Sequence, residues 1–350
     1  MDKARITEEL KQAASLSELS SIRQSLQKIK KSLSAYESKA GGSSAKEDQI
    51  NRKYLLTELD QILETRTLER TKYYLNRLIK GLTEVKQGKI NDLNLNRWKE
   101  YEDIITDSLW LIDKRDSSGS HNAGYWGNFI PQIPNQFLKR YTKQGDWVLD
   151  TFLGSGTTLI ECRRLGRNGI GIELQQEICE LAKKNVEKEK VESSNETRCE
   201  IVNGNSVRIN YEDILERLKI DDVQFVFMHP PYWDIIKFSD DKDDLSNAKS
   251  IEEFLESIGR IIDGVYPVLE KGRFLALVIG DKYSGGEWIP LGFYTMQEIL
   301  KRKFKLKSTI VKNFDETKGK MNQKELWRYR ALQGGFYIFK HEYIFLFQKK

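Results

Sequence analysis

Four consecutive residues, His229-Pro230-Pro231-Tyr232, follow the apolar run Phe225 to Met228 and stop it abruptly. Neither proline has an N–H for a β-ladder, so the chain leaves the strand as a rigid extended segment with free carbonyls. A polar ring, a carbonyl and an aromatic face are thereby gathered at one strand end. Such a set suits a planar substrate that bears an amino group. Tyr232 can stack on the plane, the Pro230 carbonyl can accept one N–H, and a neutral His229 can accept the other through one ring nitrogen. Holding both hydrogens concentrates lone-pair density on the nitrogen and aims it at an electrophile. The plainer reading is a proline-stiffened strand exit with a capping histidine.

A second tract, Val148 to Thr158, ends another strand, turns on Gly154 and Gly156, and opens a helix. Ligands of open α/β sheets bind beyond the carboxyl ends of strands, and glycines there let them approach the backbone. N–H groups at a helix start can take an anionic group such as a carboxylate. Glu173, about twenty residues on at the end of the next strand, can accept from a ribose diol. A nucleoside triphosphate is disfavoured, because Gly156 is followed by Thr157 with no lysine before it. A dinucleotide is disfavoured too, because Leu159 stands where a third glycine belongs. S-adenosylmethionine carries no phosphate and tolerates the shorter turn, with Asp150 holding its methionine end. A tight turn needed only for packing is the alternative.

These tracts need a frame. Asp146 to Asp150, Ile170 to Leu174, Phe225 to Met228 and Phe274 to Ile279 read as buried parallel strands. Helices beginning near Thr157, Gln175, Tyr211 and Ile251 alternate with them, which predicts an α/β sheet with helices on both faces. Lys307 to Lys312 and Tyr343 to Phe347 predict an antiparallel pair at one edge. The rest of the composition narrows the class. The chain has 350 residues, 39% hydrophobic and 31% charged, enough for a sizeable core and long for one domain. It has no run of about 18 apolar residues to span a bilayer. The acidic start MDKARITEEL is no secretory signal, so a cytoplasmic protein is expected. Three separated cysteines (Cys162, Cys179, Cys199) and three single histidines offer no zinc cluster, and no metal is expected. A net charge of +5, from 57 basic and 52 acidic residues, does not by itself identify a nucleic-acid partner.

Taken together, the two tracts resemble the amino-methyltransferases of DNA, which methylate adenine N6 or cytosine N4 with S-adenosylmethionine. Residues 150–158 resemble the family's cofactor motif through Asp150, Phe152, Gly154, Gly156, Thr157 and Thr158. The segment Asn128-Phe-Ile-Pro131-Gln-Ile-Pro134 resembles the one that closes over the methionine moiety. Glu173 matches the ribose-binding acid, and Asn205 falls where an Asp commonly lies near the adenine ring. His229-Pro230-Pro231-Tyr232 occupies the catalytic position, with His where Asp, Asn or Ser is usual. The resemblance covers about residues 108–350 and implies a Rossmann-like methyltransferase sheet. It also implies in-line attack by a flipped base with no covalent enzyme intermediate. Asp in the first motif position usually goes with adenine and Ser with cytosine, and the absent Ser favours adenine. A bacterial or phage modification enzyme is expected, for example in a restriction–modification system. An RNA methyltransferase, or a non-catalytic nucleic-acid-binding subunit on the same fold, are the alternatives.

Sequence-reading surface is scarce in this region. Lys318, Lys320, Lys324, Arg328 and Arg330, interleaved with Trp327, suit a loop that grips phosphates and packs on bases. Asp240 to Asp244 reads as a mobile acidic loop. The N-terminal third is helical in period. Residues 1–37 form one amphipathic or coiled-coil helix that packs on its own domain or pairs with a second copy or a partner subunit. Residues 38–47 read as a flexible linker and 48–107 as a helical region, with Arg66, Arg70, Lys72, Arg77 and Lys80 on a charged face that could follow phosphates.

Overall fold

The computed structural model describes residues 3–35, 51–121, 124–125, 127–190, 196–314 and 324–350. The expected linker 38–47 and the two lysines Lys318 and Lys320 lie outside the described residues. The chain divides into two compact units, Met1–Ile104 and Ile105–Lys350.

The first unit is helical: α1 (Lys3–Ser15), α2 (Leu19–Ala35), α3 (Arg52–Leu63) and α4 (Leu68–Thr83). The single long helix expected over the first 37 residues is broken after Ser15, whose hydroxyl turns back to the Gln12 carbonyl at 2.8 Å. Serines on either side of Leu16 offer the backbone such side-chain partners, which compete with helical bonds. Leu10, Leu26 and Leu33 of the first two helices are buried with Leu55, Leu59, Leu75 and Leu78 of the next two in one core. The stripe that could have served as a coiled-coil seam is thus filled within the unit. Asn51 and Thr67 cap α3 and α4 by accepting from the N–H groups of Tyr54 and Arg70. Part of the charged face is paired within the unit, although it stays exposed. Arg77 pairs with the buried Glu58 at 3.2 Å and lies over the Tyr74 ring, and Lys80 pairs with Glu84 at 3.4 Å.

The second unit is built on one eight-stranded sheet. In chain order its elements are β1 (Leu109–Trp110), α5 (Gln132–Tyr141), β2 (Trp147–Asp150), α6 (Thr157–Leu165), β3 (Asn168–Glu173), α7 (Gln176–Lys188) and β4 (Cys199–Asn203). Then come α8 (Tyr211–Leu218), β5 (Val223–Met228), α9 (Ile251–Val268) and β6 (Leu269–Ile279). A small hairpin, β7 (Lys282–Ser284) and β8 (Glu287–Ile289), precedes α10 (Leu291–Leu300), β9 (Phe304–Asn313), α11 (Lys324–Gly334) and β10 (His341–Lys349). The strand order is β1-β9-β10-β6-β5-β2-β3-β4. Strands β4, β3, β2, β5 and β6 run parallel, and β10 lies antiparallel between β6 and β9. Short β1 pairs parallel with β9 outside the expected antiparallel pair.

Alternation along β5 sends its side chains to opposite layers. Val226 and Met228 join Ile214, Phe254, Ile258 and Ile261 of α8 and α9 in one core. Phe225 and Phe227 meet Phe137 of α5 on the other face. The chain leaves β2 toward β3 and β4, then returns across to β5, so the order reverses between β2 and β5. Asp150 stands beside Phe227 in that pair, and the Thr151 N–H donates to the Phe227 carbonyl at 3.1 Å. The reversal leaves an opening at the carboxyl ends of these two strands, where a ligand can enter. Both motifs begin there.

Candidate active site

The glycine turn is organised by two carboxylates with different duties. Asp150 is fully buried, accepts from the Phe152 N–H at 2.9 Å and from the Thr158 hydroxyl at 2.5 Å, and does not line the cavity. Burial pushes its carboxyl up to about 6, against the two hydrogen bonds. Asp150 thus ties the turn to the start of α6. Thr158 shares that buried bond, Pro131 caps α5, and neither reaches the cavity wall. Gly156 also stands back from the wall; its φ of 98° starts α6, and a Cβ there would lie 3.1 Å from Val186. Gly154 is the glycine that faces the opening, with φ of 53° and a Cβ position 3.1 Å from the Tyr125 ring and 3.2 Å from Asn128. Glu173, at the end of β3, accepts from the Gly154 N–H at 3.0 Å and the Gln175 N–H at 2.9 Å. Burial raises its pKa, and its carboxylate lines the cavity beside Phe152 and Thr157. Asn128 lines the same wall and donates to the Ser155 hydroxyl at 2.6 Å.

At the end of β5 the second motif is fixed by residues far away in sequence. His229 meets the Phe129 ring edge-on at 5.0 Å, and its Nε2 lies 3.4 Å from the Tyr232 hydroxyl. Burial lowers its pKa to about 4, with Glu342 pulling up and Lys312 pulling down, so the ring is neutral at pH 7. The Tyr232 hydroxyl donates to Glu342 Oε2 at 2.8 Å, and Lys312 reaches Glu342 Oε1 at 2.9 Å. The Tyr232 ring packs against Gly280, where a Cβ would lie 2.8 Å from its Cε2. No sequence pattern had singled out Lys312, Glu342 or Gly280. The available signal was weak: Glu342 opens an apolar strand, whereas Lys312 is one of three lysines in β9.

One cavity of about 760 Å³ joins these two neighbourhoods. Gly154, Glu173 and Asn205 line one part of it, and His229, Pro230, Pro231 and Tyr232 another. Asn205 Oδ1 accepts the Val207 N–H at 2.8 Å and keeps a second lone pair. The acidic stretch after the motif is a loop of turns and bends. Asp243 and Asp244 line the cavity; Asp244 is buried, accepting from the Ser246 N–H at 2.9 Å, and Asp243 pairs with Arg208 at 2.6 Å. The basic and aromatic tract after Asn313 is in part helix α11, not loop. Lys324 opens that helix, Trp327 lines the cavity with Phe314 and Phe339, and Arg330 lies 5.2 Å over the Trp327 ring. Arg328 and Arg330 are exposed.

This lining fits S-adenosylmethionine. The close-approach position at Gly154 has no room for a side chain, and Glu173 retains lone pairs for a ribose. The wall carries Glu173, Asp243 and Asp244, while Lys312 is its only lysine or arginine among the described residues. Such a balance suits a sulfonium cation and opposes a polyphosphate.

Comparison with known proteins agrees. The DNA methylase family pattern matches residues 27–184 and 223–350. A type II methyltransferase of Methanocaldococcus jannaschii, M.MjaII, is 38% identical over 121 residues, 32% of this chain and 23% of that one. M2.DpnII, a type II methyltransferase of Streptococcus pneumoniae, is 37% identical over 100 residues, 27% of this chain and 34% of that one. The chain therefore spans a quarter to a third of the length of these two curated relatives. A crystal structure of a SAM-dependent methyltransferase of Methanosarcina mazei covers 61% of this chain and 96% of its own, with 16% identity and a TM-score of 0.40. S-adenosylmethionine is the methyl donor of the matched family. The chain belongs to the DNA methylase family, the N6/N4 amino-methyltransferases of DNA.

Proposed function

We propose that this chain methylates the exocyclic amino nitrogen of a base in DNA, adenine N6 in preference to cytosine N4, after the base is turned out of its helix. The observation that carries the reading is the single cavity: Gly154 and Glu173 share it with His229 and Tyr232. An amino group inside a duplex cannot reach a donor held at a strand end, which is why extrusion is required. S-adenosylmethionine supplies an electrophilic methyl group on its sulfonium. Gly154, Glu173 and Asn128 hold that molecule, with Phe152 and Thr157 beside them. Tyr232 stacks on the base, while His229 and the Pro230 carbonyl accept its two amino hydrogens. Positioning and exclusion of water account for most of the acceleration. The missing Ser at the first motif position favours adenine.

Arg328, Arg330, Trp327 and the lysines Lys318, Lys320 and Lys324 serve the nucleic acid in this reading, the cations on phosphates and the ring at the cavity. Arg66, Arg70 and Lys72 of the helical unit add contacts to DNA or to a partner subunit. Removal of residues 1–104 tests that part: full site-selective methylation by the remainder rejects it. Restriction–modification is the biological setting proposed, by analogy with the type II relatives, in a bacterial or phage cytoplasm. Among the described residues no helix is long and apolar enough to cross a membrane. The experiment for the whole reading is transfer of tritium from labelled S-adenosylmethionine to mixed DNA and RNA. Label in DNA supports it. Label in RNA alone reassigns the substrate, and nucleic-acid binding without label makes the chain a non-catalytic subunit.

A further inference from the structure

We propose that Lys312 and Glu342 are positioning residues that set the tautomer of His229, leaving Nδ1 as the bare nitrogen that accepts from the target amino group. The inference rests on the amino-methyltransferase reading of the same cavity and names the base within it.

Lys312 on β9 and Glu342 on β10 face each other in the antiparallel register, and Lys312 is only 5% exposed. An unpaired buried charge is costly, so each requires the other. Burial alone would push the Glu342 carboxyl up, but the Lys312 ammonium and the surrounding hydrogen bonds outweigh it and hold the carboxyl below its ordinary range. An ionised carboxylate only accepts. Tyr232, at 2.8 Å from Oε2, must therefore donate, and its one hydroxyl proton is committed to Glu342. What remains on that oxygen is acceptor capacity.

His229 Nε2 lies 3.4 Å from the same oxygen. A bare Nε2 would set two acceptors against each other; a protonated Nε2 donates. A neutral imidazole carries one N–H, so protonation at Nε2 leaves Nδ1 bare. Nothing else on the ring can accept a hydrogen from a substrate. An Asp, Asn or Ser presents an acceptor oxygen directly. Histidine in their place needs a fixed tautomer, and the Lys312–Glu342–Tyr232 chain supplies it.

The same arrangement handles the proton that the reaction releases. When the new C–N bond forms at the amino nitrogen, the bond from methyl to sulfur breaks and the nitrogen must shed one N–H proton. Nδ1 takes it, giving an imidazolium whose Nε2–H still points through Tyr232 to the negative Glu342. The proton then passes from Nδ1 to water, and the neutral ring is restored with the same tautomer.

The test is nitrogen-15 NMR of the histidine side chains in the full chain. Only three histidines are present, and the signals lost in His229→Gln are those of His229. At pH 7 the proposal expects a protonated Nε2 and a bare Nδ1 in His229. Tyr232→Phe and Glu342→Gln should each give a mixture of tautomers. Glu342→Gln should also lower kcat on the order of 100-fold, while cofactor affinity measured by calorimetry stays within about twofold. Glu342→Asp should recover part of the loss. A protonated Nδ1 in the wild-type chain overturns the proposal, as does an unchanged tautomer and kcat in Glu342→Gln. Should one variant fail to bind cofactor through misfolding, the other supplies the comparison, and an unchanged tautomer there overturns the proposal. The tautomer is read without substrate, so absence of methyl transfer by the wild type would count against the function and not against this assignment.

Discussion

The two ends of the cavity are made differently. The cofactor end is assembled from one short stretch: β2, the turn through Gly154, and Glu173 at the tip of the adjacent β3. Its contacts are largely backbone, and the acids serve by accepting N–H groups. The transfer end takes His229 and Tyr232 from the segment after β5, Gly280 from the end of β6, Lys312 from β9 and Glu342 from β10, with Tyr232 and its carboxylate partner 110 positions apart. Here the working parts are side chains, and their geometry depends on strand register. A motif can write the first kind of site. The second exists only once the sheet has closed.

That contrast can be tested by injuring one end and measuring the other. The largest effect expected is at the transfer end. His229→Ala and Tyr232→Ala should lower kcat by roughly 10³-fold or more with cofactor affinity nearly intact, read by single-turnover methylation and calorimetry. Near-normal turnover in His229→Ala would break the assignment. Gly154→Val should do the opposite, lowering cofactor affinity at least about 100-fold, because its φ of 53° and the nearby Tyr125 and Asn128 leave no room for the branch. Glu173→Gln should weaken cofactor binding by about tenfold and leave kcat at saturation almost unchanged, the size expected for one hydrogen bond to a charged group.

Two pH dependences sharpen the comparison further. With its pKa near 4, His229 is neutral above about pH 5, so kcat/KM should show no acid limb near the ordinary histidine value of 6.5. As pH falls through 4 the acceptor is lost and activity drops; a limb at 6.5 would contradict burial as the cause. Asp150 gives the smallest effect, on stability alone. Its folded pKa, about 6, lies above the ordinary aspartate value of 3.8, so its stabilising contribution is complete below 3.8 and vanishes as pH rises through 6. Asp150→Asn should flatten that slope, about 2–3 kcal/mol across the window in denaturant titrations.

Which parts could be read beforehand follows from the same contrast. The parallel strands β2, β3, β5 and β6 are apolar runs bounded by turns, so local pattern sufficed, and the late antiparallel pair was legible for the same reason. Strand β4 was not: CysGluIleValAsn is a half-buried edge with two polar members and no clear alternation. Helix α11 hid in a basic, aromatic tract whose charges suggested a loop. At the site, Gly154, Glu173, His229 and Tyr232 were visible from residue type and spacing. Asp150 was visible too, but its bonds to its own turn were not, because no sequence shows which way a carboxylate faces. Lys312 and Glu342 were out of reach, since only the β9–β10 register brings them to Tyr232.

In the proposed reaction a methyl donor at the glycine turn and an amino nitrogen at His229 meet in one cavity. Mass-spectrometric nucleoside analysis of DNA treated with the chain and S-adenosylmethionine tests it most directly. The account predicts N6-methyladenine, absent when Tyr232 is replaced by alanine. Methylation confined to a ring carbon, or DNA bases left entirely unmodified by the wild-type chain, would contradict it.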